Sequence, residues 1–204
     1  VTKENNEKAI SDLFIRTGRI QYIIIAFILT GFVVFGKSFI RLWAGSDYED
    51  AYGITLCFFI PMTVPLIQNL GIIILQARNQ MKFRSTLYVV IAFVSLVISI
   101  PLSKQYGGIG CAISIALALT TGQIIVMNIY YHRVIHIDIL DFWKEIGKMS
   151  LVPFAIGSLS FYLFCIYEIH TVQIFIVCIF AFSCIYVPLF WFFGMNAYEK
   201  ELFV

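Results

Sequence analysis

GITLCFFIPMTVPLIQNLGIIILQA, Gly53 to Ala77, runs for 25 residues without a single charged side chain. A bilayer-spanning helix needs about 20 mostly apolar residues, because each adds 1.5 Å against a hydrocarbon layer of roughly 30 Å. In water such a helix would leave apolar area facing solvent, whereas lipid tails solvate it on every side. Working outward, five more runs have the same character: Ile20 to Phe39, Thr86 to Leu102, Ile109 to Tyr131, Leu151 to Tyr167 and Val172 to Phe193. The first carries only Lys37, close enough to its end to reach the interface. A membrane β-barrel would instead show alternating strands of about 9–11 residues, and these runs are continuously apolar and too long. The pattern predicts an all-α membrane protein with about six transmembrane helices.

Composition agrees. Hydrophobic residues make up 60% of the 204 and charged residues 13%, against roughly 45–50% and about 25% in soluble domains. The segment before Arg19 is too long and too acidic for a secretory signal, and no cleavage pattern follows it. The chain begins with Val1, as a non-ATG start or a piece of a longer reading frame would. The domain reading is a cytoplasmic segment over 1–19, a six-span lobe over 20–194 and a cytoplasmic tail over 195–204.

Short polar segments link the spans: Trp43 to Asp50, Arg78 to Arg84, the glycine turn Lys104 to Gly108, and Glu168 to Thr171. The longest link, His132 to Ser150, is different. Ile139, Leu140, Phe142, Trp143, Ile146 and Met149 fall at helical spacing, with Asp141, Lys144, Glu145 and Lys148 opposite. That pattern predicts a short amphipathic helix near 138–149 lying among the lipid headgroups. Of the fourteen Lys and Arg residues, eleven fall on the side that holds both ends of the chain. Cytoplasmic loops carry that excess, so both termini are expected in the cytoplasm.

Few residues suggest chemistry. Asp47, Glu49 and Asp50 share a glycine-containing turn and read as solvated surface. His132, His136 and His170 divide between the two faces, which excludes a shared metal site. Cys57, Cys111, Cys165, Cys178 and Cys184 lie inside apolar runs, with neither zinc nor CxxC spacing, and read as small packing groups. No nucleophile sits with a base, and no phosphate loop is present. The sequence thus predicts no enzyme, catalytic residue, cofactor or nucleic-acid partner. Intramembrane ionisable groups mark ion pathways, and the spans hold none at mid-depth. The strongest polar feature is Gln68-Asn69, after Pro61 and Pro65, two residues that deprive the helix of backbone donors and bend it. The pair suits either a cavity or helix–helix hydrogen bonding, and Gln123 and Asn128 share that ambiguity. Trp43, Tyr88, Tyr130, Tyr131 and Trp143 read as interface anchors.

Four segments then stand out in order. Phe39-Ile40-Arg41-Leu42-Trp43-Ala44-Gly45-Ser46-Asp47-Tyr48-Glu49-Asp50-Ala51, Ile74-Leu75-Gln76-Ala77-Arg78-Asn79-Gln80-Met81-Lys82, Tyr106-Gly107-Gly108-Ile109-Gly110-Cys111-Ala112 and the tail from Gly194 to Lys200 resemble segments of bacterial polysaccharide flippases. These are the Wzx-like O-antigen and capsule exporters of the multidrug/oligosaccharidyl-lipid/polysaccharide superfamily. The resemblance runs from about residue 11 to the end and covers only that family's C-terminal half. It implies one lobe of a two-lobe transporter in the bacterial cytoplasmic membrane, moving undecaprenyl-pyrophosphate-linked oligosaccharide to the outer leaflet. The partners it implies are the bilayer, the lipid-linked oligosaccharide, and a missing N-terminal lobe or second half-transporter. The residues expected to touch substrate are Arg41, Gln68 and Asn69, with Arg78 and Arg84 at the cytoplasmic mouth. Rival expectations are a drug exporter of the same superfamily, which would favour a mid-membrane carboxylate, and a non-transporting remnant or membrane assembly subunit.

Overall fold

A computed structural model describes residues 2–166, 169 and 171–202. Among them there is no strand, and the helices are α1 (Thr2–Ala44), α2 (Asp50–Ile67), α3 (Leu70–Ala77), α4 (Met81–Leu119), α5 (Met127–Arg133), α6 (Ile139–Ile166), α7 (Val172–Phe193) and α8 (Ala197–Leu202). A π-helical segment, Thr120–Val126, joins α4 to α5. Among the described residues, five helical runs are long and apolar enough to cross a membrane: α1, α2, the run from Met81 to Arg133, α6 and α7. The chain is a multi-pass membrane protein.

The run from Met81 to Arg133 is 53 residues long, about 80 Å if straight, and no bilayer is that thick. It folds back at Gly107, whose φ of 59° and ψ of −136° are open to glycine and strained for other residues. Phe83 stacks on Tyr130, Arg84 meets Tyr131, Ile91 lies against Gly122, Ser99 donates to the Cys111 sulfur and Leu102 lies against Gly110. The two numbers in each pair add to between 210 and 215, the signature of two antiparallel arms turning near residue 107. The glycine turn read at Lys104 to Gly108 is this reversal.

Three boundaries differ from the sequence reading. The first helix starts at Thr2 rather than Ile20, because nothing between them breaks a helix once one forms. The uncharged run from Gly53 is two helices, with Pro61 and Pro65 retained inside α2 and the break at Gln68-Asn69. The amphipathic stretch at 138–149 is no separate element, since α6 continues without a break to Ile166. Its apolar stripe of Ile139, Phe142, Ile146 and Met149 is covered by protein, none of the four being more than 5% exposed. Tyr167, Glu168 and His170, read as the end of the fifth span and its loop, lie outside the described residues.

Two compact units divide the chain, one comprising the residues up to Gln21 with Gly53–Trp143, the other Tyr22–Tyr52 with the residues from Lys144 onward. In the first, the start of α1 runs parallel to the start of α6, with Ser11 accepting from the Asp138 amide and the Phe14 ring tilted against Phe142 at 5.1 Å. There Gly18 of α1 lies against the Ile67 carbonyl at the end of α2. In the second, Tyr22 bonds Ser150, Gly157 touches Thr30 and Phe35 meets Phe164, so α1 and α6 keep a constant offset and run parallel. Phe27 with Tyr186, Phe35 with Phe182 and Phe39 with Phe175 set α7 antiparallel to α1. In lipid such ring contacts and small-residue approaches hold helices together, because no hydrophobic effect separates side chain from solvent.

Candidate functional site

Three polar side chains of the first unit converge on α5 and the turn that follows it. Asn128 and Tyr131 share a helical face at i, i+3 spacing, Ile135 lies two residues past the end of α5, and each receives a group from another element. Gln68 donates through Nε2 to Asn128 Oδ1 at 2.7 Å. Arg84 donates through Nη1 to the Tyr131 hydroxyl at 3.3 Å, and Arg78 donates through Nη1 to the Ile135 carbonyl at 3.0 Å. Asn128 in turn donates to the Ile124 carbonyl inside the π-helical segment.

Local chain geometry explains how these groups arrive. At the α2–α3 break the backbone switches to i→i−3 bonds, Gly71 N to Gln68 O at 2.9 Å and Ile72 N to Asn69 O at 3.0 Å. The tightened turn sends two neighbouring amides in different directions: Gln68 is 3% exposed, while Asn69 is exposed. Two residues later Gly71 leaves room for Tyr131, since any side chain there would overlap its hydroxyl and ring. Phe14 covers the same ring at 5.9 Å.

Arg84 sits in the first turn of α4, 7% exposed. Its second hydrogen bond goes to the Tyr88 hydroxyl at 3.0 Å, and its guanidinium carbon lies 5.2 Å from that ring's centre. Phenol oxygens and a ring face are its partners among the described residues, with no carboxylate in reach. Burying a cation is costly unless it is hydrogen-bonded, and the two tyrosines meet that need. Tyr131, read from the sequence as an interface anchor, is 1% exposed and is the hub of the seam. The signal that could have found it was its three-residue spacing from Asn128. Gln123, the middle residue of the seven-residue π-helical segment, is also buried, and its Nε2 meets no acceptor among the described residues.

Arg41 lies in the other unit, at the end of α1. Its Nε reaches Glu49 Oε1 at 2.8 Å and its Nη2 the same oxygen at 2.6 Å, while Lys37 Nζ lies 3.4 Å from Oε2. Glu49 is therefore an ion-pair partner rather than simple solvated surface. The hydrogen bond from Arg41, followed by the charges of Arg41 and Lys37, holds the Glu49 carboxyl below its ordinary value. Arg41, Lys37 and Ser38 line a cavity of about 380 Å³ with Val33, Val34, Tyr52, Phe161 and Phe164.

Of the five expected substrate contacts, Gln68 and Arg84 thus meet α5 and Arg78 the turn just after it, Asn69 is turned outward beside them, and Arg41 belongs to a different cluster. Among the described residues no three His, Cys, Asp or Glu side chains group as metal ligands. Cys57, Cys111, Cys178 and Cys184 are free thiols. The chain matches no known protein family, no curated protein and no solved structure.

Proposed function

We propose that this chain is one helical lobe of a flippase that carries undecaprenyl-pyrophosphate-linked oligosaccharide across the bacterial cytoplasmic membrane, with both termini in the cytoplasm. Asn69 is the observation that carries the reading. It is an exposed amide in a stretch without charges, at a point where the helix is interrupted. Irregular backbone at membrane depth is tolerated where protein covers it or where it lines a water-filled cavity. An outward amide at such a break suits a cavity shared with a second lobe.

The chemistry also fits a glycan. An amide both donates and accepts, which matches sugar hydroxyls without requiring charge. The absence of a mid-span carboxylate disfavours an exporter of cationic drugs. Arg78 spends one of its donors on Ile135 and, being half-buried at the basic end of the bundle, can pair with a pyrophosphate oxygen. Gln68 and Arg84 are assigned to holding the cavity wall rather than to touching the glycan, because both are bonded and covered. Nothing in this reading requires catalysis, so the protein is proposed as a transporter and not an enzyme.

Deleting the coding sequence and extracting lipid-linked sugars tests the proposal. Repeat units should accumulate in the cytoplasmic leaflet while surface glycan falls. Normal surface glycan with lowered resistance to cationic dyes would instead favour the drug-exporter reading.

A further inference from the structure

The second unit carries a site of different chemistry. Lys37 and Arg41 are four residues apart on the last turns of α1, so their side chains leave the same face of the helix. Both converge on one carboxylate, Glu49, supplied by the turn ahead of α2. The cations also line the 380 Å³ cavity, whose remaining wall is Val33, Val34, Phe161 and Phe164 with Ser38 and Tyr52. That volume lies at the small end of the roughly 300–1,000 Å³ usual for ligand sites. One end of the cavity is therefore cationic and the other is apolar and aromatic.

Its depth is marked by two rings. Trp43 is 80% exposed and stacks on Phe39 at 6.0 Å, as an aromatic belt at the headgroup level does. The cations stand within the same two turns of helix as Trp43.

We propose that Lys37 and Arg41 form a receptor for the phosphate of a membrane amphiphile, whose chain lies along Val33, Val34, Phe161 and Phe164, and that Glu49 is the internal anion it displaces. Glu49 engages both cations as a phosphate would, with one oxygen on the guanidinium and the other near the ammonium. Gly45, at a φ of 100°, stands at the base of the turn carrying Glu49 and gives it a backbone conformation few other residues adopt. The site does not depend on what the chain transports. The amphiphile is either an anionic phospholipid of the surrounding leaflet or a prenyl phosphate, and both offer the same phosphate and chain.

Native mass spectrometry of the detergent-purified protein, titrated with phosphatidylglycerol, undecaprenyl phosphate or soluble glycerol phosphate, tests this. Glu49→Gln should tighten lipid binding about fivefold and Arg41→Gln should weaken it about fivefold, as expected for one basic group near a membrane surface. Asp47→Asn makes the same change of charge two residues away and should leave binding unaltered. Misfolding cannot imitate the gain in Glu49→Gln, so the prediction survives a failed Arg41 variant. Tighter binding of undecaprenyl phosphate than of phosphatidylglycerol identifies the carrier lipid as occupant, and equal binding identifies bulk phospholipid. The proposal is overturned if Glu49→Gln fails to tighten binding, if Asp47→Asn tightens it equally, or if glycerol phosphate binds as well as the lipids.

Discussion

Arg84 and Arg41 are the same residue type solved in two ways. Arg84 is buried in the first unit and held by two tyrosine hydroxyls and a ring face, with no acid beside it among the described residues. Arg41 is only half-buried in the second unit and is gripped by the Glu49 carboxylate at the edge of a cavity. The first arrangement is a closed network, where removing any member leaves a buried group unpaired. The second is an exchangeable ion pair, where one anion can replace another at little cost. Burial, rather than charge, separates a structural arginine from a binding one here.

The contrast can be broken most severely at Gly71. Leucine there would strike Tyr131, whose ring is fixed by Phe14 and Arg84 and cannot yield. Overpacking of this kind costs about 3 kcal/mol or more, so Gly71→Leu should lose most of its monodisperse protein in detergent size-exclusion chromatography. Tyr131→Phe is the next step down. It strips one hydrogen bond from a buried cation, worth about 1.5–3 kcal/mol, and should lower the thermal midpoint read by tryptophan fluorescence. Asn128→Leu removes the acceptor for Gln68 and should cost about 0.6 kcal/mol, the average for hydrogen bonds between membrane helices. Arg41→Gln should cost least, because its partner Glu49 stands in solvent and such pairs contribute little to stability. A thermal midpoint for Arg41→Gln as low as that of Tyr131→Phe would erase the distinction between the two regions.

Much of this architecture was legible in the sequence because lipid imposes a simple rule on length and polarity. The uncharged run from Gly53, the six apolar stretches and the reversal at Gly107 all follow from it. The boundaries were harder, since a helix that leaves the bilayer need not stop: α1 reaches back to Thr2 and α6 begins at Ile139 because no breaker intervenes. The break at Gln68-Asn69 was anticipated as a bend, but prolines point only to the neighbourhood, and the i→i−3 bonds decide the residue. At the site, residue type alone could not separate Gln68 from Asn69, as each is an amide and only helix phase turns one inward. Nor could it show that Tyr131 leaves the interface, because its partner Gly71 lies 60 residues away in the chain. Glu49 was misjudged for a similar reason: its cations come from the preceding helix, one loop away.

The neighbouring amides offer the most direct test of the account. Asn69→Cys and Gln68→Cys would each be placed in a background with the five native cysteines replaced by serine, and treated in native membranes with a small water-soluble maleimide. A cavity wall predicts rapid labelling at residue 69 and protection at residue 68. Phe93→Cys, at a position 68% exposed on an apolar face, serves as the lipid-facing reference. If residue 69 labels no faster than residue 93, Asn69 faces hydrocarbon, and the cavity on which the transport reading rests is contradicted.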